Sequence, residues 1–320
     1  VVSRPKISVL GIGNVGAQIA QWCAVRELGD LVLWNRMPDT VPHPALGRSL
    51  DLMEGGPAGD YWVDIKGSAN LRDTAYSDVI VISAGVARKP GMSREELAGI
   101  NAKIVSDLMH QTFAYSRRAV YIVVTNPVDA MTYVALKSSK VPRERVIGLA
   151  GALDSSRFAA FIARATGAHP SKIKNAVVIG EHGDGMIPMS RLAKVAGKSL
   201  FRTLPKAKRE EIETHTKDAG EEIVRMLHTS ASIAAGAACA SMIESIVKGK
   251  NKTFPCSVLL EGEYGLNDVC LGVPVVLGKG GIRRIVELKL AKDEKTKLSL
   301  AAKKVRHTID VAMAPAAKAE

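Results

Sequence analysis

Aromatic side chains are scarce, at 4% of 320 residues. Any core must therefore be built from Val, Ile, Leu, Ala and Met. There are four cysteines, Cys23, Cys239, Cys256 and Cys270, with no C-x-x-C pair and no metal-ligand spacing. That excludes a disulfide framework or a zinc ribbon, and it fits structural thiols in a reducing compartment. No metal is expected. No apolar run is long enough to span a bilayer, and the opening stretch Val1-Val-Ser-Arg-Pro-Lys-Ile7 lacks the apolar region of a secretory signal. The expected compartment is the cytoplasm. The absence of an initiator Met leaves a trimmed N-terminus, and hence an organelle matrix, open. There is no internal repeat.

The composition is otherwise that of a globular chain, 47% hydrophobic and 24% charged. Net charge is +12, unevenly spread: +3 over residues 1–150 and +9 over residues 151–320. Such an excess draws in anionic ligands. Nucleic-acid binding needs more, a basic stripe interleaved with aromatics. Phe201 is the lone aromatic near the basic run of residues 194–209, so that run reads as a solvated face. Neither a nucleic acid nor a membrane is an expected partner.

A short apolar strand, residues 6–10, leads into Gly11-Ile-Gly-Asn-Val-Gly16 and a helix over about 15–26. In this order G-x-G-x-x-G has a mechanism. The first glycine allows a tight turn, the second lets backbone approach a pyrophosphate, and the third lets the helix pack on the strand. The helix N-terminus offers free N–H groups to the phosphates. Gly11, Ile12, Gly13, Asn14, Val15 and Gly16 are thus candidate dinucleotide contacts. The next strand, 30–34, ends at Asn35 and Arg36, where such folds usually place an acid that binds the ribose. Without that carboxylate a 2′-phosphate is not repelled, and Arg36 could pair with it. The cofactor expectation is NAD or NADP, with dual use allowed.

A Pro-rich loop to Gly47, a helix over 47–54, and strands over 63–66 and 78–83 follow. Beyond strand 78–83, Arg88 and Arg94 flank Pro90 and Gly91, ahead of a helix over 93–115. Two planar guanidinium forks on a hinged loop suggest a lid over a carboxylate. Strand 119–124 runs into Thr125-Asn-Pro-Val-Asp129, where Asp129 suits the positive end of the next helix. Strand 146–149 completes a parallel sheet. The second half reads as a helix from Asp154, a strand 177–179, helices over 206–248 broken near 229–232, two antiparallel strands, and a helix over 292–313. The expectation is an α/β fold, a Rossmann-type doubly wound parallel sheet followed by a mixed α+β substrate domain. The boundary is placed near Gly151, giving domains 1–150 and 151–320.

His182 lies in Gly180-Glu-His-Gly-Asp-Gly185. Flanking glycines let the backbone turn and present the imidazole, the group suited to proton exchange near neutrality. Asp154 is the candidate partner that would orient it, and Arg157, three residues on, could clamp a carboxylate. Asn126, at a strand end, could bond substrate or cofactor. The bland alternatives are a surface histidine, a helix cap, a surface ion pair and a turn residue.

Five motifs occur in order: Gly11–Gly16, the Arg88/Arg94 loop, Thr125–Asp129, Leu153-Asp-Ser-Ser-Arg157 and Gly180–Asp184. Together they closely resemble the lactate/malate dehydrogenase family, over nearly the whole chain. The resemblance implies that His182 exchanges the proton, Asp154 orients it, Arg157 binds the carboxylate beside the reacting carbon, and Arg94 closes with the lid and polarises the carbonyl. It adds Gly85, Asn101, Val124 and Asn126 to the cofactor site. Arg88 falls where the family's lactate enzymes carry Gln and its malate enzymes Arg, so a small dicarboxylate, malate or oxaloacetate, is expected. Ala231, where lactate enzymes have Thr, agrees. The resemblance also implies a homodimer or homotetramer. The alternatives are a monocarboxylate 2-hydroxyacid dehydrogenase, which Arg88 opposes, and a non-catalytic basic binding protein, which the intact His182, Asp154, Arg157 and Arg94 oppose.

Overall fold

The computed structural model describes residues 4–36, 43–86 and 94–314. The first half contains β1 (Lys6–Leu10), α1 (Asn14–Val25), β2 (Asp30–Trp34), α2 (Pro44–Glu54), α3 (Gly56–Gly59), β3 (Ile65–Ser68), β4 (Val79–Ile82), α4 (Arg94–Tyr115), β5 (Val120–Val123), α5 (Val128–Lys137) and β6 (Val146–Gly148). The six strands pair in parallel in the order β3-β2-β1-β4-β5-β6. Helices cover both faces, so β4 (Val-Ile-Val-Ile) and β5 (Val-Tyr-Ile-Val) are wholly buried. β-branched side chains suit such strands because their restricted rotamers pack well on a pleated surface. The doubly wound sheet is borne out.

The second half adds α6 (Ala150–Thr166), β7 (Ile173–Lys174), β8 (Val178–Gly180), β9 (Met186–Pro188), β10 (Lys194–Val195), β11 (Lys198–Ser199), α7 (Leu200–Thr203), α8 (Lys206–Leu227), α9 (Ile233–Val247), β12 (Lys252–Glu261), β13 (Asn267–Gly278), β14 (Gly281–Ile285) and α10 (Lys292–Met313). The long β12–β13 hairpin is antiparallel and joins β6 at one register pair, Ser257 with Gly148. A side chain at Gly148 would collide with Ser257 Cβ and Thr132 Oγ1, at 2.8 and 2.4 Å. Its absence lets β12 close on the parallel sheet. One eleven-stranded sheet therefore runs through both halves, and β7, β10 and β11 form a second, small one.

One large apolar cluster spans the sheet and its helices, and a smaller one gathers Phe158, Ile162, Ile173, Met186, Leu200 and Ile212 around α6. The four cysteines are free and buried. Burial pushes the Cys23 thiol up to about 12, the behaviour of inert packing groups. In the basic run, the Arg209 guanidinium covers the Phe201 ring at 3.9 Å. No described helix is long and apolar enough to cross a membrane.

Three local expectations shift. α2 begins at Pro44 rather than Gly47, because proline suits a first helical turn that lacks N–H partners. β3 lies at Ile65–Ser68, two residues beyond the expected start, in register with β2. α6 starts at Ala150, so Asp154 sits a full turn inside the helix and is not its cap.

Candidate active site

The crevice at the carboxyl ends of β1, β4 and β5 is where an open parallel sheet binds ligands. At the end of β1, Gly11 has φ +94°, and a side chain there would strike Ala84 N at 2.4 Å. A side chain at Gly16 would strike Gly11 O at 2.0 Å. Gly13 differs: its missing Cβ meets nothing within 4 Å. Gly11 and Gly16 are glycine for the sake of the protein, while Gly13 leaves a cradle open for something else. α1 has no side-chain cap and no acidic residue in its first turn, so its N–H end can receive a phosphate. The residues present thus fit a dinucleotide. Gly13→Ala should fold with stability changed by no more than about 0.5 kcal/mol but raise the KM for the reduced cofactor. Thermal melts beside initial rates would check this, and an unchanged KM would remove Gly13 from the site.

Around that turn, Ile12 is buried and Val15 half-buried, while Asn14 reaches Thr229 Oγ1 at 3.4 Å. At the end of β2, Asn35 is half-buried and Arg36 exposed. The Asn35 carbonyl bonds the buried His43 ring at 3.0 Å. Gly85, Asn101, Val124 and Asn126 come together where the loops after β4 and β5 meet. Asn101, 1% exposed, donates to the carbonyls of Val86 and Asn126 at 3.2 and 2.8 Å and accepts the Val86 N–H at 2.9 Å. Its amide is fully used in holding the two loops together, so it shapes the crevice rather than reaching into it. Asn126 is exposed there, and Val124 half-buried.

The imidazole stands beside these loops. α6 presents Asp154 and Arg157 on one face, since residues three apart are neighbours on a helix. β8 ends at Gly180, whose φ of +96° turns the chain toward them. His182 Nδ1 lies 2.7 Å from Asp154 Oδ2, and Arg157 donates to Asp154 Oδ1 at 3.2 Å. Asp154 is 1% exposed, Arg157 11% and His182 18%. A carboxylate only accepts, so Nδ1 carries a proton and Nε2 is left for a ligand. Burial works against the imidazolium, but the facing Asp154 outweighs it and holds the His182 pKa above its ordinary value. Burial also lowers the Arg157 pKa, opposed by Asp154, although an arginine stays charged. Arg157 Nε is buried with no protein partner, a donor that an incoming carboxylate would satisfy.

Three partners of this loop were not legible as such. Asp129, expected only at a helix N-terminus, accepts the His182 backbone N–H at 2.8 Å. Glu181 accepts the Gly185 N–H at 3.1 Å, and Lys304 of α10 bridges Glu181 and Asp184, each at 3.1 Å. The motif spelling of Thr125–Asp129 was the available signal for Asp129, and none marked Lys304. Arg88 lies outside the described residues. Arg94 opens α4, and its side chain is likewise not described. Among the described residues no group of three or more His, Cys, Asp or Glu could hold a metal ion.

The family description "lactate/malate dehydrogenase, NAD binding domain" matches residues 5–148, and its "alpha/beta C-terminal domain" matches 151–315. A malate dehydrogenase of Desulforudis audaxviator is 44% identical over 304 residues, 95% of this chain and 97% of that one. The malate dehydrogenase structure from Picrophilus torridus superposes with a TM-score of 0.92 at 38% identity, covering 97% and 98% of the two chains. A lactate dehydrogenase structure from Cryptosporidium parvum superposes equally well, TM-score 0.92, at 33% identity over 98% and 100%. The backbone therefore does not separate the two substrate classes, while membership is plain: the chain belongs to the lactate/malate dehydrogenase family.

Proposed function

We propose that this chain is a malate dehydrogenase, an oxidoreductase interconverting (S)-malate and oxaloacetate with a nicotinamide dinucleotide. One observation carries the reading: His182, Asp154 and Arg157 form a single, largely buried chain of 2.7 and 3.2 Å contacts, in a protein that also keeps an open cradle at Gly13. The relatives named malate dehydrogenase support the substrate. The two halves act as a dinucleotide-binding domain, 1–150, and a substrate domain, 151–320.

A bound nicotinamide supplies or accepts the hydride. The chain's own residues do the rest. Arg157 engages the carboxylate next to the reacting carbon through its planar fork. In reduction His182 gives the proton at Nε2 to the forming alkoxide, and in oxidation it takes that proton back. Asp154 keeps the ring's tautomer fixed and stabilises the imidazolium without taking the proton itself. Arg94 polarises the carbonyl oxygen, where charge develops, and Arg88 receives the second carboxylate. Asn126 bonds substrate or cofactor from the crevice rim. Asn35 and Arg36 admit NADP beside NAD. The assembly is a homodimer or homotetramer, and the compartment the cytoplasm.

Initial rates with oxaloacetate and pyruvate, each with NADH and NADPH, test the reading. Oxaloacetate should be strongly preferred, and a preference for pyruvate would overturn it. Arg88→Gln should cost about 2–5 kcal/mol of discrimination in favour of the dicarboxylate, the scale for truncating one side of a desolvated charge pair. Unchanged kinetics with oxaloacetate in that variant would sink the role of Arg88.

A further inference from the structure

His182 is gripped twice. Asp154 of α6 holds its ring, and Asp129, in the first turn of α5, holds its backbone N–H at 2.8 Å. Asp129 is 4% exposed. Its second oxygen, Oδ1, makes no hydrogen bond of good geometry, although the fully buried Ser257 hydroxyl of β12 lies close enough to favour its charge. A carboxylate half satisfied in so dry a place is expensive, and a residue serving only as a helix-terminal charge would do as well at the surface. Asp129 also lies two residues after the Thr125–Pro127 turn, whose Asn126 carbonyl is tied to Asn101. It therefore spans from the loop junction at the cofactor crevice to the backbone of the proton-carrying residue.

We propose that Asp129 is a positioning residue for His182: its carboxylate clamps the backbone of the loop that carries the imidazole, and its negative charge stands beside the ring as a second counter-ion after Asp154. The inference rests on the reading of His182 as the proton carrier and deepens it.

The electrostatic surroundings agree. Burial pushes the Asp129 carboxyl up to about 6, against the Ser257 hydroxyl, the His182 N–H and the His182 charge, while Glu181 pushes it further up. The other charged or titratable groups facing this pair are Arg157 of α6, Cys270 of β13 and, through Glu181 and Asp184, Lys304 of α10. The ionised Asp129 carboxylate favours the imidazolium, whereas Arg157 disfavours it. Asparagine in place of Asp129 keeps the acceptor for the His182 N–H and gives a donor toward Ser257, but it loses the charge. Alanine loses both charge and clamp.

The two roles thus separate. The His182 imidazole is titrated by NMR in the wild-type protein and in Asp129→Asn, with no substrate present. Its midpoint should fall in the variant, and an unchanged midpoint in a folded variant would overturn the counter-ion role. In oxaloacetate reduction the descending limb of kcat/KM should move to lower pH. The ratio of kcat/KM at pH 6.5 to that at pH 8.5 should then rise on the order of 2–10-fold, ten being the worth of a full unit. Asp129→Ala should lower kcat about tenfold or more through an unsatisfied, partly buried N–H and a loosened loop, and Asp129→Asn should restore much of it at acid pH. Wild-type kcat in Asp129→Ala would overturn the clamp. So would equal losses in both variants that track a fall in Tm with the pH profile unmoved. Absent oxaloacetate turnover in the wild-type protein would instead strike the proposed function, while the NMR titration would still decide on Asp129.

Discussion

Replacing His182 by asparagine is expected to lower kcat for oxaloacetate reduction by about 10²–10⁴-fold, the range for removing a positioned proton-transfer group. The substitution keeps the backbone N–H that Asp129 accepts, so the loop and the cofactor affinity should survive. Stopped-flow reduction and cofactor fluorescence titration read the two separately. The pH dependence should change with it. In the wild-type protein the Asp154 carboxylate outweighs the burial of His182 and raises its pKa above 6.5. Stability from the imidazolium–carboxylate pair is fully present below the unfolded value, and it is lost as pH rises through the raised folded value. Reduction needs the imidazolium, so its rate falls over that same upper range. Both slopes should disappear in His182→Asn. An unchanged kcat would remove His182 from the chemistry.

Replacing Arg157 by alanine is the second large effect. Arg157 is nearly buried, pairs with Asp154 at 3.2 Å, and keeps its Nε unpartnered. Truncating it takes away the carboxylate fork and leaves Asp154 one partner short. The expected loss is about 2–5 kcal/mol of transition-state stabilisation, roughly 30-fold to several thousand-fold in kcat/KM. Arg157→Lys should recover only part of this, because an ammonium cannot make the bidentate contact. Arg157 also disfavours the imidazolium. Its removal should shift the descending limb of the pH profile to higher pH, opposite in sign to Asp129→Asn. A variant that lost activity through misfolding alone would show no such ordered shift, so the direction of the limb is the decisive reading.

Much of the scaffold was legible because its signals are local. β1 and β2 fall on the expected residues, and α10 covers Lys292–Met313 as its period implies. Long periodic segments commit their apolar faces within a few turns or pleats, so neighbours in sequence settle them. β7, β9, β10, β11 and β14 were missed: the first four are two or three residues long and β14 (Gly-Ile-Arg-Arg-Ile) is interrupted by two arginines, so none shows the continuous apolar run that marks β1, β4 and β5. They are strands only because a partner edge supplies their hydrogen bonds. Asp154 was correctly paired with His182 but wrongly set at a helix start, since Gly151 reads as a boundary, whereas it lies inside α6 and is small because a side chain there would strike Val178 O and Pro255 at 2.7 and 2.9 Å.

The sequence by itself determined the chemistry on offer: a glycine turn shaped for a pyrophosphate, an imidazole between glycines, an acid and an arginine three apart, and two arginines after a strand. Their order and residue types were enough, because each motif is completed within a handful of positions. Only the tertiary structure decided how these pieces meet. Asp154 reaches His182 across 28 residues and Asp129 across 53, while Ser257 closes on Gly148 to fuse the two halves into one sheet. No local pattern encodes such contacts. They follow from which apolar faces can be buried together, and that choice is made by the chain as a whole. The second grip on His182 belongs wholly to that level: Asp129 looked like an ordinary helix-terminal acid until folding placed a backbone N–H against it.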